Sequence, residues 1–232
     1  ILFNKKFNCE IMNCIKILFS IPKVVYFNFK YLPIYQALKL PIWISYNTKL
    51  SIKGKIILDT NEKLKVAMVR IGFHKVPICN PKEPTILSMA KDSSLIFKGT
   101  AHIGCGTKIH ISNNAQLILG DNFAVSASSQ INCYKRIIFG RDIQFSWNCL
   151  TMDSDTHNIY GENGDIINEP REIIFGDKIW IGCRATILKG SVIPNNCVIG
   201  ACSLVSGKHF KQNSIIAGNP AKSIKTISKW KL

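Results

Sequence analysis

The side chains best suited to move a proton at neutral pH are the five histidines, and one of them stands apart. His157 falls within residues 152–173 (MDSDTHNIYGENGDIINEPREI), a polar stretch rich in Gly and Asp. A neutral imidazole, with an ordinary pKa of about 6.5, can take a proton from a hydroxyl as that oxygen attacks. Asp153 and Asp155 stand just before it. Either carboxylate is a candidate to orient the ring or steady its charged form, and either is as readily a turn former. On the residues alone His157 has a second reading, as a solvated loop side chain. His74, His102, His110 and His209 are the other possible metal ligands, but their spacings do not pair up and none clusters with His157. No metal site is expected.

A covalent route would need a nucleophile. There are nine cysteines, at positions 9, 14, 79, 105, 133, 149, 183, 197 and 202, with no CxxC pair and none beside a histidine. An odd count without metal or redox spacing fits small reduced fillers in a cytoplasmic setting.

The elements that hold these residues declare themselves by a repeat. Bulky apolar residues recur at every sixth place: Phe175, Ile181, Ile187, Ile193, Ile199 and Val205. Four residues after each of the first five come Ile179, Ala185, Ser191, Cys197 and Ser203, mostly small. Gly often follows the apolar residue directly, as at Gly176, Gly182 and Gly200, where it is expected to ease a turn. A helix cannot make this pattern, because six steps of ~100° carry successive isoleucines around the axis. A three-sided coil can, with large residues pointing inward, small ones at the corners and stacked turns paired as parallel strands. The same register runs less regularly upstream, through Phe139, Phe145 and Thr151, through Leu119, Val125 and Ile131, and through Ile103 and Ile109. Its longest interruption is the segment that carries His157, and loops of this length inside a compact domain are usually functional.

The expected architecture is therefore all-β: a parallel β-helix over 49–223 with an inserted loop at 152–173. It is preceded by a basic, apolar, partly helical segment at 1–48 and followed by a basic tail at 224–232, helical or frayed. No apolar run is long enough for an ordinary membrane span. No small-residue cleavage site follows the apolar segment near the start, so no cleavable signal peptide is expected. The formal charge of +16 calls for an anionic partner, but zinc-finger spacing, aromatic-basic signatures and basic heptads are all lacking, so nucleic acid is not that partner. The basic, apolar residues 5–30 have two readings: a contact with an anionic membrane leaflet, or a helix that covers the open end of the coil.

The segment IWIGCRATILKGSVIPNNCVIGACSLVSGKHFKQNSIIAGNPAK resembles the end of hexapeptide-repeat acyltransferases, and NCLTMDSDTHNIY is similar to sugar acetyltransferases of capsule and O-antigen synthesis. The resemblance covers about residues 119–225. It implies a left-handed coil, a homotrimer with sites between neighbouring coils, and acetyl-CoA as co-substrate. It implies that His157 deprotonates a sugar hydroxyl and that Trp180 sits beside the acetyl group. It also implies that Gly182, Cys183, Ala201 and Ser206 line the pantetheine groove, and that Lys208, Lys222 and Lys225 meet the nucleotide phosphates. Cys183 stands where Ser is common. Near Ser126, where members acting on simple galactosides carry an Asn that helps hold the acceptor, the stretch reads NFAVSASSQIN, so a different acceptor pocket is implied. The activity implied is O-acetylation of a sugar, or a polysaccharide precursor, for a surface polysaccharide, in the cytoplasm or at the inner face of the membrane. The rivals are N-acetylation of a nucleotide-linked amino sugar and a non-catalytic scaffold coil.

Overall fold

The structure is a computed structural model that describes residues 2–73, 76, 80, 82–207 and 210–231, with side chains from residue 17 onward. The chain winds through three parallel sheets that form the faces of a prism. Among the described residues face A has nine strands, face B seven and face C six. Each turn passes A to B to C, beginning with Ile42–Ile44, Lys49–Ile52 and Lys55–Leu58. The coil is left-handed, as in the hexapeptide-repeat proteins it resembles. Its first strand lies seven residues ahead of the expected boundary at 49, because the alternating Ile42-Trp43-Ile44 already has its two isoleucines fully inside.

The sixfold ladder is the core. Phe175, Ile181, Ile187, Ile193, Ile199 and Val205 are all buried, as are the corner residues Ile179, Ala185, Ser191, Cys197 and Ser203. Midway along the axis Phe123, Phe139, Phe145 and Phe175 pack ring on ring at centroid distances of 4.5–6.5 Å. Such packing favours offset and tilted pairs. The irregular phase upstream comes from longer corners. Trp180 pairs with Val198, 18 residues on, but Ala124 pairs with Gln144, 20 on, and Gln144 with Trp180, 36 on.

The glycines of the repeat do not serve the turns. Gly176, Gly182 and Gly200 are absent from the positive-φ positions, which at the corners are occupied by residues such as Asn122, Asp142, Lys178 and Asn196. These glycines answer a different constraint, the close stacking of turns. A Cβ on Gly182 would lie 2.6 Å from the Ala201 nitrogen, and one on Gly200 would lie 2.9 Å from the Ala217 Cβ.

Both ends of the coil are covered. Helix α1 (Leu2–Tyr31) lies on the first strand and stands in for a missing neighbour. The buried Asn28 amide donates to the Ile42 carbonyl at 2.7 Å and accepts from the Ile42 N–H at 3.1 Å. Ser20 Oγ accepts from the Tyr46 N–H, while Lys23 Nζ donates to the carbonyls of Tyr46 and Thr48. A short helix α2 (Ile34–Ala37) completes this cap. At the other end Ser214–Gly218 joins face A and turns back through the antiparallel strand Ala221–Thr226. The segment from 224 is therefore strand to Thr226, not helix, and its end is anchored on face A by Trp230.

The cysteines divide. Cys133, Cys149 and Cys197 are buried fillers with free thiols. Cys105 departs from the reduced-filler expectation: it is disulfide-bonded, at the A–B corner beside Val76, Ala127 and Trp147. Cys79 lies outside the described residues, as do the side chains of Cys9 and Cys14.

Candidate active site

His157 is carried on a hairpin arm between the B strand Leu150–Met152 and the C strand Ile173–Phe175, so the arm springs from the B–C edge of the prism. The arm closes on itself through a bridge between Tyr160 and Ile166 and a hydrogen bond from the Ile167 N–H to the Ile159 carbonyl. Its tip presents Ile159, Tyr160, Ile166 and Ile167 to solvent.

Asn168 fixes the chain around His157. Its amide nitrogen donates to the His157 carbonyl at 2.8 Å and to Asp155 Oδ2 at 2.9 Å, and its Oδ1 accepts from the Ile159 N–H at 2.7 Å. Lys189 Nζ, from the next turn, binds both Asp155 and the Asn168 carbonyl. The Lys189 ammonium, followed by the Asn168 amide, holds the Asp155 carboxyl below its ordinary pKa. His157 itself is exposed, and its imidazole has no hydrogen-bond partner among the described residues.

The two aspartates thus act on the arm, not on the ring. Asp153 is fully buried and accepts the backbone N–H groups of Tyr134, Lys135 and Arg136 at 2.6–2.9 Å. A buried carboxylate is tolerated when such donors satisfy it. It closes the corner of the turn below and so seats the first residue of the arm. Asn168 and Lys189 were missed by sequence reasoning. An Asn fifteen places beyond Asp153 in a polar loop carries no periodic signal, and Lys189 reads as ordinary repeat surface.

Trp180 lies on the outer surface of face A, directly opposite the B–C edge, so one chain does not bring Trp180 and His157 together. Its indole N–H donates to Ser146 Oγ at 3.2 Å, and the ring leans on Trp230 at 6.5 Å between centroids. Trp230 in turn donates to the Lys178 carbonyl at 3.0 Å. Together with Asn122, Asp142, Gln144, Lys178 and Lys231 it lines an open cleft of about 370 Å³ beside Trp180. Its part in this cleft could be suspected in the sequence only from a lone aromatic residue in a basic tail.

The residues assigned to the cofactor fall in three places. Gly182, Cys183 and Ala201 stack along the A–B corner, where Ala201 is exposed and Cys183 half-buried. Lys222 and Lys225 are exposed on the terminal hairpin of face A. Ser206 sits across the prism at the B–C edge, beside Gly207, whose carbonyl accepts the Val192 N–H. Lys208, His74 and His209 lie outside the described residues. Burial pushes the Cys149 thiol up to about 11. Burial, with the Asp153 charge added, pushes Cys133 up further still. Neither is a nucleophile at neutral pH.

No protein-family model matches the chain. It is 27% identical over 145 residues to the Escherichia coli K12 protein assigned as the lipopolysaccharide biosynthesis O-acetyl transferase WbbJ, covering 58% of this chain and 72% of that one. It is 28% identical over 182 residues to the galactoside O-acetyltransferase of the same strain, covering 75% and 86%. Among solved structures the polysialic acid O-acetyltransferase OatWY superposes with a TM-score of 0.51 at 21% identity, covering 80% of this chain and 88% of that one. The polysialic-acid-specific acetyltransferase NeuO gives 0.50 at 18%, covering 83% and 79%. The resemblance read from the segments around His157 and Trp180 thus holds in sequence and in fold: the chain is a left-handed β-helix of six-residue repeats, similar to the O-acetyltransferases built on that coil.

Proposed function

We propose that this protein is an acetyl-CoA-dependent O-acetyltransferase that acts on a sugar of a surface polysaccharide or its precursor, and that it works as a homotrimer. The observation that carries the reading is the separation of His157 from Trp180 on opposite sides of one prism, in a coil similar to sugar O-acetyltransferases. A second copy, packed with its face A against the arm, supplies the missing half of the site. The exposed apolar tip of the arm gives that copy a surface to hold.

The chemistry follows from the groups present. The imidazole of His157 takes the proton of the acceptor hydroxyl as its oxygen attacks the thioester carbon. The carbon–oxygen bond forms, the carbon–sulfur bond breaks, and the thiolate of CoA recovers the proton from the imidazolium. The small residues at the A–B corner, with Ala201 exposed and Cys183 half-buried, admit the thin pantetheine arm, and Lys222 and Lys225 offer point charges to the phosphates. The buried thiols of Cys133 and Cys149 are held protonated, so neither offers a covalent route.

The test is acetyl transfer by purified protein to a panel of hydroxyl and amino sugars, with His157→Ala beside the wild type. Loss of a general base costs about 10²–10⁴-fold in rate. A correctly folded His157→Ala variant with near wild-type transfer would falsify the assignment, and transfer to amino sugars alone would replace it with N-acetylation.

A further inference from the structure

We infer that the outer face of the N-terminal cap docks on an anionic lipid leaflet, with α1 lying in the plane of the interface. The described side chains of α1 split into two faces, one packed on the coil and one apolar and open. Ser20, Val24, Phe27 and Tyr31 face the coil. Leu18, Pro22, Val25 and Phe29, at the same spacing, face away from it and are exposed. Ile34, Tyr35 and Leu38 of the turn that follows α1 are apolar and open as well, each more than 60% exposed. A soluble helix has one apolar stripe; a helix apolar on both sides is covered on both.

The choice of a bilayer over another protein rests on charge. Residues 1–58 hold nine lysines and a single acid, Glu10, so half of the net +16 sits on the first quarter of the chain. Copies of this segment repel one another, whereas an anionic leaflet attracts each of them. The rim has the chemistry of an interface. Lys30 Nζ is bonded to the Tyr26 hydroxyl at 2.7 Å and lies 5.0 Å and 5.3 Å from the ring centroids of Tyr26 and Tyr31. The Lys30 ammonium thus sits against aromatic surface at the exposed rim of the helix. Lys39 is exposed beside Leu38. Among the described residues no helix is long and apolar enough to cross a membrane. The helix therefore lies on the leaflet, held by a shallow apolar face and a cationic rim.

The experiment is co-sedimentation of the full chain with vesicles of phosphatidylglycerol and phosphatidylcholine, or of phosphatidylcholine alone. The wild type is expected to pellet with the first and stay in solution with the second. Leu18→Glu with Phe29→Glu should weaken vesicle binding by about tenfold or more. Lys30→Glu with Lys39→Glu, which leaves the apolar face intact, should weaken it at low salt by a comparable factor. Circular dichroism melts confirm the fold of each variant. The inference is overturned by equal pelleting with both vesicle types, by no pelleting with either, or by charge variants that bind like wild type. It is also overturned if the Leu18/Phe29 pair of changes shifts the sedimentation coefficient without lipid, which assigns the face to contacts between copies. None of these outcomes depends on acetyl transfer.

Discussion

Asp155 is ion-paired with Lys189 across the base of the hairpin arm, one residue from the adjacent turn gripping one from the arm. The same ammonium binds the Asn168 carbonyl, and the Asn168 side chain holds the backbone at His157. Orientation of His157 thus passes through a lysine on the coil, not through a carboxylate on its ring.

Disruption of this brace should therefore loosen the arm without unfolding the coil. The Asp155 carboxylate is 44% exposed, so the pair contributes only about 0.2–1 kcal/mol. Lys189→Met is expected to lower the turnover number while the melting temperature changes by a few degrees at most. The sign with pH follows from the depressed pKa of Asp155. Its stabilising share is present above the unfolded carboxylate value and is lost as the pH falls through the lower folded one. Limited proteolysis at 155–168 should accelerate in that acidic window in the wild type. In Lys189→Met the acid-dependent change should be smaller; an identical acid profile in both proteins would refute the brace.

Asp153 gives the opposite balance, large for stability and indirect for catalysis. Its carboxylate is fully buried and is the acceptor for the N–H groups of residues 134–136. Asp153→Ala strands those donors at a cost of about 3–5 kcal/mol. That corresponds to a fall of the order of 10 °C in melting temperature for a chain of this size. A melting temperature within a degree or two of wild type would show that the corner does not depend on this group.

What the sequence revealed and what it concealed divide along a physical line. The interior of the coil was legible because Ile181, Ile187, Ile193 and Ile199 each meet the same demand, a bulky side chain inside a narrow prism at every sixth step. The site was half legible. His157 stood out as a proton-transfer group in a long polar loop, but the partners of Asp153 are backbone N–H groups of an earlier turn, and backbone donors leave no trace in residue types. The glycines misled for a related reason. Gly182 marks where two turns nearly touch, while the left-handed backbone falls on neighbours such as Arg184 and Asn196, whose identities vary.

That distinction can be measured. Gly182→Ala places a methyl group 2.6 Å from the Ala201 nitrogen, against backbone that cannot step aside. It should destabilise the coil by about 1–3 kcal/mol or more. Asn114, at φ +57°, is exposed, and among the described residues it is held through its backbone N–H, which donates to the Lys91 carbonyl. Asn114→Gly should be within about 0.5 kcal/mol of wild type and Asn114→Val worse by about 1–2 kcal/mol. Chemical denaturation of the three variants checks the ranking, and a harmless Gly182→Ala would mean that adjacent turns are free to part.

The sharpest prediction concerns the two halves of the site. His157 leaves the B–C edge and Trp180 lies on the face opposite, so a variant in either residue spoils one half of a site and leaves the other half intact. His157→Ala and Trp180→Ala are each expected to be nearly inactive alone. Co-expressed, they are expected to form mixed assemblies of the proposed homotrimer in which some arms with an intact His157 meet a face with an intact Trp180. Those interfaces are wild type in every contributing residue, and acetyl transfer should return to a fraction of the normal rate set by random assembly. Separately purified and mixed without exchange, the same two variants should stay inactive. If mixed trimers form, as seen by mass spectrometry with differently tagged chains, and activity does not return, both residues act within a single chain. The arm must then reach around its own prism, and the intersubunit site is wrong.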